Sequence, residues 1–155
     1  MRTLFSTLIL GLFIVISAAA QDKMKYNTDN SNIMLEGYSP VSYLDLGLAQ
    51  KGNKAYKSEY EKVVYYFTSA EQKSKFDANP QKYVPQFGGY CAFGVYAGAK
   101  FRPDPTKFLV SNGKYYLFLY NLELDAKELW QNEKDQSAVV EKANENWKKL
   151  QATYN

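Results

Sequence analysis

The sequence predicts a small α+β domain in which β-hairpins pack against several short helices, and three observations lead to this fold class. Fourteen tyrosines, nine phenylalanines and two tryptophans among 155 residues supply a core built largely from rings. Segments 55–67 and 107–120 combine β-forming residues with turn signals, as hairpins do. Around them, capping residues and apolar residues at helical spacing indicate about four or five helices.

Residues 1–20 have the features of a secretory signal peptide. Arg2 supplies the positive start, an apolar run follows, and Ala18-Ala19-Ala20 is an A-x-A-like cleavage site before Gln21. The apolar run is shorter than the roughly 20 residues of a spanning helix, and an uncleaved membrane anchor is the alternative. We therefore expect an exported protein, periplasmic or secreted, with no membrane span after cleavage of the signal.

The rest of the chain is long enough for one domain with a genuine core. Residues 21–32 are polar and are predicted to be a flexible leader, and residues 33–152 to be the domain. The 19 basic and 16 acidic residues are scattered among one another. Because a nucleic-acid-binding surface would form a basic stripe, we expect no nucleic-acid partner.

Turn and capping signals divide the domain into elements. The first half is predicted to contain a strand at 33–36, a helix opened by Ser39-Pro40 and stopped by Gly47, a hairpin at 55–67, a helix capped by Thr68 or Ser69 that runs to about Asp77, and a helical turn at 81–84. The second half is predicted to contain a helix opening near Gly89, a hairpin at 107–120, and helices at 122–131 and 137–151. Asn112-Gly113 demands a type I′ turn. The arm that follows, 115–120, is apolar on both faces, so it should be covered on both sides or expose a row of rings. Trp147 falls in the apolar stripe of the last helix.

The chain has one cysteine, Cys91, and no histidine. The missing histidine removes the Ser-His-Asp and Cys-His nucleophilic machinery and the commonest metal ligand. In an oxidising compartment Cys91 cannot form an internal disulfide, which leaves a buried inert thiol, a reactive thiol or a pair between chains. No residue pattern therefore assigns an enzymatic activity.

Residues 86–98 form a glycine-rich segment around Cys91. We expect Gly88-Gly89 to make a tight turn into a short helix with Cys91 in its first turn, where the helix dipole favours a thiolate. Cys91 is then the candidate reactive centre, positioned by that turn. The candidate ligand-binding residues around it are Gly88, Gly89, Tyr90, Phe93 and Tyr38.

Five short motifs, taken in their order along the chain, resemble those of the YHS-domain proteins, specifically their small exported single-domain branch. The matching pieces are Gly37-Tyr38-Ser39-Pro40-Val41-Ser42-Tyr43, Tyr66-Phe67-Thr68-Ser69-Ala70-Glu71 with Phe76, Asn79-Pro80-Gln81-Lys82-Tyr83, Phe87-Gly88-Gly89-Tyr90-Cys91-Ala92 and Asn144-Glu145-Asn146-Trp147. Together they extend over nearly all of the chain that follows the leader. No single piece is specific, but the ordered set is.

The resemblance implies a compact α+β domain and two kinds of chemistry. Several YHS relatives, and the similar TRASH domains, are linked to heavy-metal binding through a cysteine pair at the start of the helix after the second strand. The corresponding positions here are Thr68 and Gln72, neither of which is a thiolate, so that metal site is incomplete. The exported branch also has members with selenocysteine in the Gly-Gly-Tyr-Cys position. The resemblance to these members implies that the thiol of Cys91 takes part in chemistry rather than only in packing.

Three function hypotheses follow. The first is a thiol-based redox or binding accessory protein centred on Cys91, which would need a partner protein or a small thiol for its return to the reduced state. The second is a non-catalytic interaction module with a structural Cys91 and an aromatic binding surface. The third is a soft-metal protein that binds copper, with Cys91 as the only plausible soft ligand apart from Met24 and Met34. The partner, a protein or a small molecule, is not defined by the sequence.

Overall fold

Residues 25–152 are described by the computed structural model, and they form helices together with two small antiparallel sheets. In chain order the elements are α1 (Pro40–Leu46), β1 (Asn53–Tyr60), β2 (Val63–Phe67), α2 (Ala70–Ala78), α3 (Pro80–Tyr83), α4 (Ala92–Tyr96), β3 (Asp104–Ser111), β4 (Lys114–Phe118), α5 (Ala126–Asn132) and α6 (Gln136–Ala152). This is the α+β fold class that the sequence predicts. The predicted signal peptide lies outside the described residues.

Both predicted hairpins are present. β1 pairs antiparallel with β2 across Glu61 and Lys62, whose φ angles of 50° and 63° place both residues in the left-handed region. β3 pairs antiparallel with β4 across Asn112 and Gly113, with φ angles of 51° and 70°. Both turns therefore have positive φ at two central residues, the backbone that matches the twist of paired strands.

β4 separates two hydrophobic clusters. Tyr115 and Leu117 face the first cluster, which is formed with α1, β2, α2 and α3. Tyr116 and Phe118 face the second cluster, which is formed with α4, α5 and α6. All four side chains are at most 5% exposed. Successive residues of a strand point to opposite faces, so both faces of the arm are covered over 115–118, the first of the two alternatives, whereas Tyr120 at its end is 41% exposed.

Side-chain caps and a left-handed glycine define several helix ends, and some of these were predicted. The hydroxyl of Ser69 accepts the backbone N–H of Gln72 at the start of α2, and the carboxylate of Asp125 accepts two N–H groups at the start of α5. Gly47 ends α1 in the left-handed region, as predicted. Ser39 occupies the N-cap position of α1, but its hydroxyl makes no capping bond.

Residues 25–32, which belong to the predicted leader, contact the domain. The backbone N–H of Asn27 donates to the carbonyl of Gly88 at 2.8 Å, and the side chain of Asn27 donates to the carbonyl of Gly89 at 3.0 Å. Thr28 forms an isolated β-bridge with Met34. These backbone bonds hold the segment against the domain, and a polar composition alone does not reveal such partners.

Two further elements differ from their predictions. Residues 33–36 do not form a strand, because only Ile33 and Met34 make isolated bridges before Leu35 and Glu36 turn at positive φ. α5 begins at Ala126 rather than at 122, since Asp125 is its N-cap and the preceding Leu122 lies in a loop, 99% exposed. Within residues 25–152, no helix combines the length and the apolar character needed to cross a bilayer.

Candidate functional site

Cys91 is the N-cap residue of α4 and is 1% exposed. Its Sγ accepts the backbone N–H of Leu119 at 3.2 Å and that of Gly94 at 3.5 Å. Its own N–H donates to the carbonyl of Phe101 at 2.9 Å. The thiol therefore joins the start of a short helix to the end of β4, inside the second cluster.

The predicted first-turn position of Cys91 is wrong, because α4 begins one residue after it. Gly88 and Gly89 have φ angles of 59° and 80° and belong to a separate turn. α4 has only five residues, so the dipole at its start is small. The local sequence predicts a turn followed by a helix correctly, but it does not fix where the helix starts.

Gly88 is required by a close approach as well as by its backbone angle. A Cβ at this position would lie 2.3 Å from the carbonyl oxygen of Lys25 and 3.1 Å from the ring of Trp147. The turn therefore packs between Lys25 and Trp147 of α6, two residues that are far apart in sequence.

The candidate ligand-binding residues do not line a common cavity within the described part of the chain. Tyr38 lies beside the first cluster, with the ammonium of Lys51 4.9 Å from its ring centroid. Tyr90 packs against Trp147 with ring centroids 6.1 Å apart. Phe93 packs against Tyr96 over α4 with ring centroids 5.7 Å apart.

A cleft of about 300 Å³ lies where the two clusters meet, and Gly88 is one of its lining residues. Its large apolar side chains are Tyr26, Met34, Tyr60, Tyr65, Phe87 and Trp147. We call it the aromatic cleft. Its volume is at the lower end of the range for small-molecule sites, which are concave and lined mostly by apolar and aromatic groups.

The charged groups at the aromatic cleft neutralise each other. The ammonium of Lys25 lies 3.2 Å from the carboxylate of Glu61, and the hydroxyl of Tyr26 donates to the same carboxylate. This hydrogen bond lowers the pKa of Glu61, whereas burial, and then the contact with Glu61, raises the pKa of Tyr26. The cleft therefore keeps an ionised carboxylate whose charge is already balanced.

Four carboxamides line the aromatic cleft without a hydrogen-bond partner among the described residues. They belong to Gln81, Gln86, Asn144 and Gln151. Within residues 25–152 none of these side chains makes a hydrogen bond, although each has two donors and an acceptor. They can therefore bond to a ligand without first giving up a protein contact.

The sequence does not reveal this site, because the rings that line it come from distant segments. Trp147 falls in an apolar helical stripe that indicates core, and Tyr26 falls in a polar stretch interpreted as a leader. The resemblance to YHS proteins offered one signal, since its last motif includes Trp147 and its fourth includes Phe87.

The structure gives no described residue a clear role as a metal ligand. No group of three or more His, Cys, Asp or Glu side chains that could hold an ion occurs within residues 25–152. Thr68 and Gln72 are joined by a hydrogen bond from the N–H of the first to Oε1 of the second, 3.2 Å long. Met34 lies in the first cluster and Cys91 in the second, while Met24 lies outside the described residues. The soft-metal hypothesis stays a prediction.

The fold thus defines an α+β domain with a small aromatic cleft at the junction of two clusters. Comparisons with known protein families, with curated proteins and with solved structures found no match. Membership in the YHS family therefore stays a prediction from the ordered motifs.

Proposed function

We propose that this protein is an exported, non-catalytic binding module whose aromatic cleft takes a small neutral ligand, with Cys91 serving the fold. The observation that carries the proposal is the convergence of rings from both clusters on one cleft with unpaired carboxamides at it. Export is proposed from the features of residues 1–20, and N-terminal sequencing of the mature protein tests it, with Gln21 expected first.

The chemistry of the aromatic cleft favours a flat, uncharged ligand. Rings such as Trp147 and Tyr60 offer apolar faces, and the carboxamides of Gln86 and Asn144 offer donors and acceptors for polar edges. The cation at the cleft is already paired with Glu61. A charged ligand would bring an unbalanced charge, so heteroaromatic compounds and sugars, which share a flat face and polar edges, fit best.

The surroundings of Cys91 favour a structural thiol. Its Sγ is buried and already accepts the N–H groups of Gly94 and Leu119. An oxidant or a metal would have to reach a closed site and displace both hydrogen bonds. Reactive cysteines instead occupy partly exposed positions.

The two tryptophans allow a direct test by NMR. Trp147 lines the aromatic cleft, whereas Trp130 is 1% exposed in the second cluster, so the two indole N–H signals report on different places. A library of heteroaromatic fragments and a panel of mono- and disaccharides should be titrated separately into the ¹⁵N-labelled mature protein. We expect members of one class to shift the Trp147 indole signal and the Gly88 amide, with no change at Trp130.

A matched pair of variants provides the control. Gln86→Ala removes one carboxamide of the cleft and should weaken the ligand at least several-fold, whereas Gln131→Ala removes a carboxamide elsewhere and should leave binding unchanged. The proposal is overturned if neither class shifts the Trp147 indole signal. It is also overturned if both alanine variants weaken binding equally.

A further inference from the structure

A second and larger concavity also lies along α6 and shares Asn144 with the aromatic cleft. It has a volume of about 730 Å³ and is bounded by β3, the tip of its hairpin, α5 and α6. We call it the hairpin groove. Four α6 residues at four-residue spacing, Gln136, Val140, Asn144 and Lys148, line one wall. At a rise of 1.5 Å per residue this wall is about 18 Å long. The groove is therefore elongated.

The opposite wall is the free edge of β3. Four consecutive residues, 109–112, line the groove, although consecutive strand residues point to opposite faces. The backbone itself must therefore border the groove. On the other side of the hairpin, Leu117 of β4 forms a bridge with Cys91, so that edge is covered.

The type I′ turn fixes which backbone groups face outward. In such a two-residue hairpin the flanking residues Ser111 and Lys114 form a hydrogen-bonded pair. Every second residue of β3 before Ser111 therefore directs its backbone N–H and C=O groups away from β4, toward the free edge. These are Val110 and Phe108. Within residues 25–152 no backbone partner beyond the hairpin bonds to either residue, and Val110 is 39% exposed. A row of unpaired donors and acceptors on a strand edge is a template for another strand.

The length and shape of the groove fit an extended polypeptide. An extended chain covers about 3.3 Å per residue, so about five residues span a wall of this length. A compact small molecule would leave most of it empty. A second copy of the chain fits poorly, because a symmetric contact needs a self-complementary surface and this one is concave.

The side chains of the groove indicate which residues such a segment carries. Leu109 and Val140, both half-buried, supply apolar surface, and the buried rings of Tyr116 and Trp130 also border the groove. On the α6 wall Glu141 and Glu145 lie one turn apart, and neither forms an ion pair with another described residue. Like charges at this spacing repel each other. A cationic side chain from outside would relieve that repulsion.

We propose that an extended segment of a partner protein adds to β3 as a third strand, with apolar side chains on the floor of the hairpin groove and a basic side chain against Glu141 and Glu145. This inference goes beyond the proposed function, since the linings of the hairpin groove and the aromatic cleft have only Asn144 in common. Strand addition of this kind takes affinity from the backbone and specificity from alternate side chains.

The test begins with selection of a phage-displayed library of random dodecapeptides on the full mature protein. We expect the enriched peptides to alternate apolar and basic residues and to bind as synthetic peptides. In the complex, the amides of Phe108 and Val110 should gain protection from hydrogen exchange, and the indole signal of Trp130 should shift while that of Trp147 stays in place.

Charge reversal on the groove provides the decisive variant. The double change Glu141→Lys and Glu145→Lys should weaken these peptides at least tenfold, and the double change Glu123→Lys and Glu128→Lys, which alters the net charge equally, should not. The proposal is overturned if no peptide is enriched or if both double variants weaken binding equally. It is also overturned if sedimentation shows a dimer that the groove variant alone abolishes, since the occupant is then a second copy.

Discussion

The hydroxyl of Ser39 donates a 2.6 Å hydrogen bond to Oε1 of Gln72 and so joins the start of α1 to the first turn of α2. Both side chains are buried, and Ser42 belongs to the same network, accepting a bond from Nε2 of Gln72 at 3.0 Å. The sequence predicts Ser39 as a helix cap. The hydroxyl of Ser39 instead belongs to a polar network between two helices, because it donates to the carboxamide of Gln72 and makes no capping bond.

Gln72→Leu should destabilise the fold. The change leaves the buried hydroxyl of Ser39 without its partner, whereas Ser42 keeps a 2.9 Å hydrogen bond to Oε1 of Gln50. An unsatisfied buried polar group costs about 1–3 kcal/mol, so we expect a loss of this size in the free energy of unfolding, measured by urea denaturation. Gln81→Leu is the control, since that side chain is exposed and makes no hydrogen bond with another described residue, and it should change stability by less than about 0.5 kcal/mol. Equal effects from both changes would contradict the prediction.

Alkylation of Cys91 should be slow in the folded protein and fast after unfolding. The thiol is 1% exposed and accepts two backbone N–H groups, so iodoacetamide reaches it only when the second cluster opens. Mass spectrometry at intervals in buffer and in urea measures both rates. Gln81→Cys in a Cys91→Ala background supplies an exposed thiol for comparison. Native alkylation of Cys91 as fast as that of the exposed thiol would return the first hypothesis, a reactive thiol, to the lead.

Gly88→Ala should cost more than Gly47→Ala. Both glycines lie in the left-handed region, with φ angles of 59° and 66°, so each alanine pays about 1–2 kcal/mol for its backbone conformation. Only at Gly88 would the new Cβ collide with the carbonyl of Lys25, whereas no atom lies within 4 Å of the corresponding position at Gly47. We expect a difference of at least about 1 kcal/mol by urea denaturation, and faster hydrogen exchange at Asn27. Equal costs would show that the close approach at Gly88 is relieved by small shifts.

The stability of the fold should depend on pH through Glu61. The hydrogen bond from Tyr26 places the pKa of Glu61 in the folded protein below its ordinary value of 4.5. Stability contributed by this pair is therefore complete above that ordinary value and is lost as the pH falls through the folded pKa. The measurement is the difference in unfolding free energy between wild type and Glu61→Gln from neutral pH to about pH 3, and we expect it to shrink on acidification.

The neighbouring substitution Glu59→Gln provides the control for this pH dependence. Glu59 is exposed on β1 and lies outside the aromatic cleft. Its removal should give a difference from wild type that varies less with pH than that of Glu61→Gln. A Glu61→Gln difference that stays constant across the acid range would contradict the assigned hydrogen bond.

What the sequence predicts well is what neighbouring residues determine. Asn112-Gly113 specifies its own turn and Gly47 its own helix end, and the cap of α2 is narrowed to Thr68 or Ser69, since each depends on backbone angles or on bonds within four residues. The alternating burial along 115–118 also follows from strand geometry once the hairpin is given.

The candidate site depends on contacts that no local pattern contains. The aromatic cleft needs Tyr26 and Trp147, which lie near opposite ends of the chain, and the Gly88 turn that lies between them in space. The helix start at Ala92 likewise depends on the bonds of Cys91 to Leu119 and Phe101. Where local propensity allows several structures, tertiary contacts determine which of them forms.

The alternation of β4 between the two clusters has a consequence for how the chain folds. Tyr115 and Tyr116 are adjacent in sequence yet belong to different clusters, so neither cluster is complete before this hairpin has closed. Hairpins with tight turns close within about 1–10 μs, well before distant segments meet. The β3–β4 hairpin can therefore act as a common nucleus for both halves of the domain. For the same reason the two clusters should be lost together, in a single cooperative transition.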